Sequence, residues 1–295
     1  MIKIVSFQKL YYEWWKNIDK FILALIILLF LVGLFFSLVS TSLIASDKLN
    51  TNDYLFFFKH LIFLFIGVFF IFIFSSMNQQ NLFKISIICF AVSVALLILV
   101  PLIGVEVKGS KRWIDLYLIP RFQPIELVKP FFIVFLSILL SSQKDVNIYL
   151  KYFLSFFATL GVVFFLVLQP DIGQTLLILF AWSILIFISG INLIFLITLF
   201  FILILSFSYL VLFVPKFGYI KSRIISFFDP DVGTHNFQSD KAIESIVSGG
   251  FFGKGIGEGT LKNRVPEAHT DYIISVISEE FGIVAIILIL FLFLV

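Results

Sequence analysis

The apolar residues of this chain are gathered into runs long enough to cross a lipid bilayer. A helix of about 20 apolar residues spans the hydrocarbon core, and only helices or closed barrels satisfy the backbone there. Eight runs qualify, near residues 21–43, 54–75, 82–103, 124–142, 152–168, 172–188, 193–214 and 272–295. Only 13% of the residues are charged, against about a quarter in soluble domains. The sequence therefore predicts an all-α, polytopic membrane helix bundle with about eight transmembrane helices.

The polar segments predict how the chain is threaded through the membrane. Residues 1–20 carry four lysines and several interfacial aromatic residues, which favours a cytoplasmic N-terminal tail by the positive-inside rule. Alternation then places the loop 104–123 outside the cytoplasm. We predict helices one to seven within 21–214, a large extracytoplasmic loop at 215–269, and an eighth helix at 270–295, where the chain looks cut short.

Composition also argues against several functional classes. The three histidines and the single cysteine, Cys89, lie far apart in sequence, without the spacing of a zinc site or a disulfide framework. The net charge of +3 is too small to indicate nucleic-acid binding. Metal or redox chemistry on those side chains and a nucleic-acid partner are therefore not expected.

The outer loop 104–123 is basic, against the positive-inside trend. It holds Lys108, Lys111, Arg112 and Arg121, which indicates an anionic ligand unless this loop simply departs from a statistical rule. Lys111 and Arg112 stand next to Trp113 at the predicted interface, a composition suited to binding phosphate oxygens of a lipid headgroup.

Charged residues also occur at the starts of two predicted membrane helices. Glu126 and Lys129 are three residues apart on one helix face and can pair as buried charges, either to lock helix packing or to line a polar cavity. Pro130 is expected to kink that helix. Asp171 lies between two apolar runs, where an N-cap and a ligand role explain it equally well.

The segment before the last helix is rich in glycine. Six of the 16 glycines fall within 249–259, a density that permits positive φ angles and close approach of backbone N–H groups to a ligand. The spacing matches neither the P-loop nor the dinucleotide fingerprint. A flexible loop is the alternative explanation.

The last helix carries a polar stripe that begins with Asp271. The stripe consists of residues at spacings of three or four: Asp271, Ser275, Ser278, Glu279 and Gly282. Such a stripe faces away from lipid and predicts the wall of a polar cavity. A carboxylate at the mouth of a membrane helix is partly desolvated, so Asp271 is the candidate for the working residue.

Five motifs together resemble the SEDS family of bacterial cell-wall polymerases. They are Gly-Ser-Lys-Arg-Trp-Ile at 109–114, Phe-Gln-Pro-Ile-Glu-Leu-Val-Lys at 122–129, Leu-Gln-Pro-Asp-Ile-Gly at 168–173, Ser-Gly-Gly-Phe-Phe-Gly-Lys-Gly-Ile-Gly at 248–257 and Pro-Glu-Ala-His-Thr-Asp-Tyr-Ile at 266–273. Their order and spacing match along the whole chain. The segments 236–244 and 255–260 resemble the division branch of the family, as found in alphaproteobacteria, more than the elongation branch.

The resemblance implies a peptidoglycan glycosyltransferase that polymerises lipid II outside the cytoplasmic membrane and releases undecaprenyl diphosphate. Asp271 matches the family's catalytic aspartate in a His-Thr-Asp motif. The candidate substrate-binding residues are Lys111, Arg112, Gln123, Glu126, Lys129, Asp171 and His269. This chain departs from the family at Ile125, where relatives usually have serine, and in length, because the family has ten spans and the resemblance covers the first eight.

The implied reaction assigns chemical roles. Asp271 would be the general base that takes the proton of the attacking sugar hydroxyl. Lys111, Arg112 and Lys129, with Arg121 and Arg264 as further candidates, would stabilise the departing diphosphate. A divalent cation, Mg²⁺ or Mn²⁺, bridging a carboxylate and the diphosphate would be chemically sensible, but no ligand set can be read from the sequence.

The resemblance also implies partners and a location. A class B penicillin-binding protein, a transpeptidase, and other divisome membrane proteins are the expected partners, at the septum of the bacterial inner membrane. Two other functional classes stay open. A lipid II flippase would also need a polar cavity and a broken helix, and a non-catalytic divisome scaffold would not need Asp271.

Overall fold

The computed structural model describes residues 7–41, 55–107, 110–116, 121–141, 147–215, 218, 220–222, 225, 237–265 and 272–295. The helices are α1 (Phe7–Asn17), α2 (Lys20–Thr41), α3 (Leu55–Ser76), α4 (Gln79–Ile103), α5 (Pro124–Ser141), α6 (Ile148–Leu168), α7 (Ile172–Ile188), α8 (Leu193–Phe213), α9 (Phe237–Gly249) and α10 (Ile273–Leu294). Two strands, β1 (Val105–Val107) and β2 (Ser110–Trp113), and a 3₁₀ turn at Leu261–Arg264 complete the described elements.

The predicted membrane helix bundle is confirmed. Within the described residues, seven helices are long and apolar enough to cross a membrane: α2 to α6, α8 and α10. The remaining predicted span, α7, has 17 apolar residues, which is the short end of the range that crosses a bilayer. The predicted bounds of the eight runs differ from the observed helices by at most four residues.

Packing divides the chain into two compact units. The first comprises Met1–Ser76 and Val211–Val295, and the second comprises Met77–Leu210. The core of the second unit is built from buried apolar side chains of α4 to α8: Leu97, Ile125, Val128, Phe132, Leu136, Val162, Leu166, Ile178, Trp182, Ile186 and Leu196. Among membrane helices, close packing and polar contacts hold the bundle, because apolar surface gains little by leaving lipid. The Trp182 indole accordingly donates to the Ser155 hydroxyl at 3.3 Å.

The basic loop between α4 and α5 contains a small hairpin that the sequence did not predict. Strands β1 and β2 pair antiparallel, with Glu106 opposite Lys111. Ile114 then forms an isolated bridge with Phe122 and is almost fully buried. Arg112 lies in β2 of this hairpin, and its side chain extends to the turn between α6 and α7.

In the first unit, the last span is broken. Gly282 has φ 75° and ψ −178°, which interrupts the helical hydrogen bonds of α10. Phe281, just before the break, packs edge-on against Phe35 and Phe36 of α2. The glycine-rich segment and α9 lie alongside the first half of α10.

Candidate functional site

Arg112 binds the turn between α6 and α7. Its Nε donates to the carbonyl oxygen of Gln169 at 3.2 Å and its Nη2 donates to that of Pro170. Nε also lies 3.7 Å from a carboxylate oxygen of Asp171. A cation over the last carbonyls of a helix is favourable, because those groups lack intrahelical partners and carry partial negative charge. The arginine predicted to bind phosphate is therefore engaged by the chain's own backbone.

Asp171 is the N-cap of α7 and also joins two other elements. Its Oδ1 accepts from the backbone N–H of Gln174 at 3.4 Å, as expected for a capping aspartate. Its Oδ2 accepts from the Gln123 amide at 3.0 Å. The capping alternative left open by the sequence is thus observed, and the same carboxylate ties Gln123 and Arg112 to one turn.

Glu126 and Lys129 form the predicted ion pair, with a distance of 2.6 Å from Lys129 Nζ to Glu126 Oε2. The expectation that both charges are buried is wrong, because 52% of the Glu126 side chain is exposed. Glu126 lies in the first turn of α5, so it reaches the end of the bundle. Its other oxygen accepts from the Gln174 amide at 3.1 Å, which links α5 to α7.

The remaining predicted cations differ in their partners. Arg121 pairs with Asp115 at 2.7 Å. Lys111 is exposed and has no ion pair within the part of the chain that the structure describes. It borders a cavity of about 250 Å³ together with Glu106, Ser110 and Gln169. Among the described cations of this loop, Lys111 is thus the best placed to bind an added anion.

Sequence reasoning missed Gln169 and Gln174. Gln169 is almost completely buried and donates to the carbonyl of Leu97 at 3.3 Å. Gln169 lies between two apolar runs and Gln174 near the start of the second, on either side of Asp171, which is the signal that could have identified them. A cavity of about 1010 Å³ bordered by residues of α6, α7 and α8 has none of the predicted site residues in its lining.

The glycine-rich segment completes the broken helix α10. Before the break, the carbonyls of Glu279 and Glu280 accept from the backbone N–H groups of Lys254 and Gly255, at 2.9 and 3.0 Å. After the break, the N–H groups of Ile283 and Val284 donate to carbonyls of the loop, at 3.0 and 3.4 Å. Backbone groups released by the kink are therefore satisfied by the loop, as buried polar groups require.

Three glycines, Gly249, Gly253 and Gly282, permit this close contact. A Cβ on Gly249 would lie 1.9 Å from the Ser278 carbonyl oxygen, and one on Gly253 would lie 2.1 Å from that of Glu280. Gly253 has a φ of 77°, a region that side chains disfavour. The predicted positive φ angles are confirmed, but the backbone N–H groups approach α10 instead of an external ligand.

Glu279 is the buried centre of this contact, with 0% of its surface exposed. Its Oε1 accepts from the Leu261 backbone N–H at 2.9 Å and lies 3.2 Å from Lys254 Nζ. Its Oε2 accepts from the Ser245 hydroxyl at 3.0 Å. Removing a carboxylate from water is costly unless its oxygens are bonded in this way.

The polar stripe on α10 does face away from lipid. Ser275, Ser278 and Glu279 are all buried. Within the described residues, however, they contact α9 and the glycine-rich loop, so this part of the stripe is a packing surface and not the predicted cavity wall. Asp271 and His269 lie outside the described residues.

An ion pair lies on the exposed side of α9. Lys241 Nζ is 2.6 Å from Glu244 Oε2. The hydrogen bond from Lys241, together with its charge, holds the pKa of Glu244 below its ordinary value. Across the described residues, no group of three His, Cys, Asp or Glu side chains could hold a metal ion.

Comparison with known proteins gives consistent matches over nearly the whole chain. The model of the FtsW/RodA/SpoVE family, described as "Cell cycle protein", matches residues 19–295. A "Probable peptidoglycan glycosyltransferase FtsW" from Caulobacter vibrioides is 30% identical over 282 residues, which cover 92% of this chain and 68% of the relative. Its namesake from Haemophilus influenzae is 30% identical over 299 residues, covering 97% and 74%. These matches agree with the resemblance to the division branch.

Solved structures have the same fold. One chain, from a study titled "Structural coordination of polymerization and crosslinking by a peptidoglycan synthase complex", has a TM-score of 0.67 and 25% identity over 90% of this chain and 73% of its own. A Thermus thermophilus rod shape determining protein RodA has a TM-score of 0.56 and 24% identity, covering 90% and 69%.

Proposed function

Because the chain belongs to the FtsW/RodA/SpoVE family, we propose that it is a peptidoglycan glycosyltransferase that polymerises lipid II during septal wall synthesis. The observation that carries the proposal is the match over residues 19–295, together with relatives named as FtsW glycosyltransferases. The reaction joins a sugar hydroxyl to the anomeric carbon of a lipid-linked sugar and releases undecaprenyl diphosphate.

Asp271 is the proposed general base. It takes the proton of the attacking hydroxyl while the bond from the anomeric carbon to the diphosphate breaks, a contribution of typically 10²- to 10⁴-fold. The support is its place in the His-Thr-Asp sequence immediately before α10. The leaving diphosphate is already stable, so a second carboxylic acid to protonate it, as in glycosidases, is unnecessary.

Lys111 is the proposed contact for the diphosphate. A cation placed where negative charge develops stabilises the transition state, and Lys111 is exposed beside a polar cavity. Arg112 and Asp171 would hold the turn that borders this cavity. Gln123, Glu126, Lys129 and His269 remain proposed substrate contacts: the first three belong to the hydrogen-bonded network around α7.

We further propose an inner-membrane protein with a cytoplasmic N-terminus and an extracytoplasmic active site. The four lysines of the N-terminal tail support this orientation. A class B penicillin-binding protein and other divisome membrane proteins are the proposed partners. The structural similarity to a chain of a peptidoglycan synthase complex supports such an assembly.

The test is glycan-strand formation from labelled lipid II by the purified protein, with the transpeptidase present. We expect polymer from the wild type and none from Asp271→Asn, while lipid II binding is retained. Asp240→Asn is the matched control, because Asp240 is an exposed acid in the first turn of α9. Equal polymer from wild type and Asp271→Asn would remove Asp271 from the mechanism.

A failure of the wild type would point elsewhere. If it makes no polymer but carries lipid II across vesicle bilayers, the flippase function replaces the enzyme. If it does neither and Asp271→Ala complements a depletion strain, the scaffold function is favoured.

A further inference from the structure

The glycine-rich loop contacts α10 well inside that helix. The carbonyls of Gly250 and Phe251 accept from Ile283 and Val284, 10 and 11 residues beyond the first residue of α10, Ile273. At a rise of about 1.5 Å per residue, these contacts lie about 15 Å along the helix. The 22 residues of α10, helical on both sides of the break, qualify as a membrane span, for which about 20 residues suffice. The loop therefore reaches a level far from either end of the span.

An independent contact gives a similar depth. Phe281 packs on Phe35 and Phe36 of α2, with ring centroids 5.8 and 5.3 Å apart. Phe35 and Phe36 belong to α2, an apolar helix of 22 residues that ends at Thr41. Phe35 therefore lies about 9 Å from the C-terminal end of α2. The break in α10 and the loop that fills it are thus at membrane depth by two separate measures.

The tip of the loop is apolar and uncovered. Phe251 is 75% exposed and Phe252 is 84% exposed. They adjoin the part of α10 whose Ile283 and Val284 side chains also face outward. Exposed apolar patches mark interaction surfaces, and this patch is continuous with the outer surface of a membrane-spanning helix.

We propose that α9 and the following loop form a re-entrant element, in which Phe251 and Phe252 contact lipid acyl chains. Irregular backbone is tolerated at that depth only where its polar groups are bonded within the protein, and the bonds between the loop and α10 meet that requirement. The charge of Lys254 is paired with Glu279. Glu258 is exposed on the returning part of the loop, and since a carboxylate among acyl chains is costly, it faces an aqueous side of the element.

Site-directed spin labelling tests the proposal on the full chain in phosphatidylcholine vesicles. Nitroxides are placed one at a time in a Cys89→Ser background, and their collisions with oxygen, which partitions into lipid, and with a water-soluble nickel chelate are measured. Phe252→Cys reports the tip. Ile287→Cys on α10 is the lipid reference and Asp240→Cys at the start of α9 is the aqueous reference.

We expect the oxygen-to-nickel collision ratio at residue 252 to match that at residue 287 and to exceed that at residue 240 several-fold. Glu258→Cys should behave like residue 240. Nickel collisions at residue 252 equal to those at residue 240 would overturn the proposal, since the tip would be in water. Few collisions with either reagent would also overturn it, because the tip would then be covered by protein. If Phe252→Cys fails to fold, Phe251→Cys reads the same patch.

Discussion

Replacing Lys254 with methionine is expected to loosen the loop from α10. The fully buried Glu279 carboxylate would keep its bonds from Leu261 and Ser245 and lose its ion pair with Lys254. Removing one partner of a buried pair costs roughly 3 to 5 kcal/mol. Because 34% of the Lys254 side chain is exposed, solvent screening lowers this figure to about 2 kcal/mol.

The matched variant is Glu279→Gln. An amide oxygen at the Oε1 position still accepts from Leu261 and Lys254, and the amide nitrogen can donate to the Ser245 hydroxyl. Since the contacts persist and only the charge is lost, the expected cost is about 1 kcal/mol or less. The double variant buries no uncompensated charge, so it should be more stable than Lys254→Met alone, which is a coupling that a double-mutant cycle measures.

Amide hydrogen exchange of the loop provides the assay. The N–H groups of Gly255 and Leu261 are bonded to Glu280 and Glu279, so they exchange only when the loop opens. A loss of about 2 kcal/mol raises their exchange roughly thirtyfold when reclosing is fast. Unchanged exchange in Lys254→Met, or a double variant as labile as that single variant, would refute the reasoning.

Three further outcomes are expected. Gly253→Ala places a Cβ against backbone at a positive φ, so thermal melts should show a destabilisation of at least about 2 kcal/mol. Gly161 has open space around it, so the control variant Gly161→Ala should be neutral or stabilising in the same melts. Arg112→Lys should lose the two-carbonyl contact and destabilise the start of α7 by about 1 to 2 kcal/mol, measured by exchange of its first amides. Lys241→Met should weaken α9 near neutral pH. Because the folded pKa of Glu244 is lowered, that contribution exists above its unfolded pKa and disappears as the pH falls through the folded value, so exchange of α9 amides in variant and wild type should converge in acid.

Local features were predictable from the sequence, and distant pairings were not. Bilayer thickness sets the length of an apolar run, so the helix bounds were predicted closely. The pair of Glu126 and Lys129 follows from a spacing of three on a helix. Arg112, by contrast, meets carbonyls 57 and 58 residues away, and composition around Arg112 cannot distinguish a phosphate from those carbonyls. Glycine density predicted unusual backbone angles but not the broken helix that the loop completes.

In each unit, polar groups of a loop satisfy backbone groups that a membrane helix leaves without intrahelical partners, either at its end or at a break. Arg112 does this at the end of α6, and the segment around Lys254 does it at the break in α10. A basic residue in a motif therefore does not by itself indicate a substrate contact, because its donors can be used by the fold. Arg112 and Lys111 are adjacent in sequence, yet only the first has such partners within the described residues. We therefore expect Lys111→Ala to raise the KM for lipid II in the proposed polymerisation with little loss of stability, and Arg112→Ala to lower stability first, as polymerisation assays and thermal melts of both variants would measure.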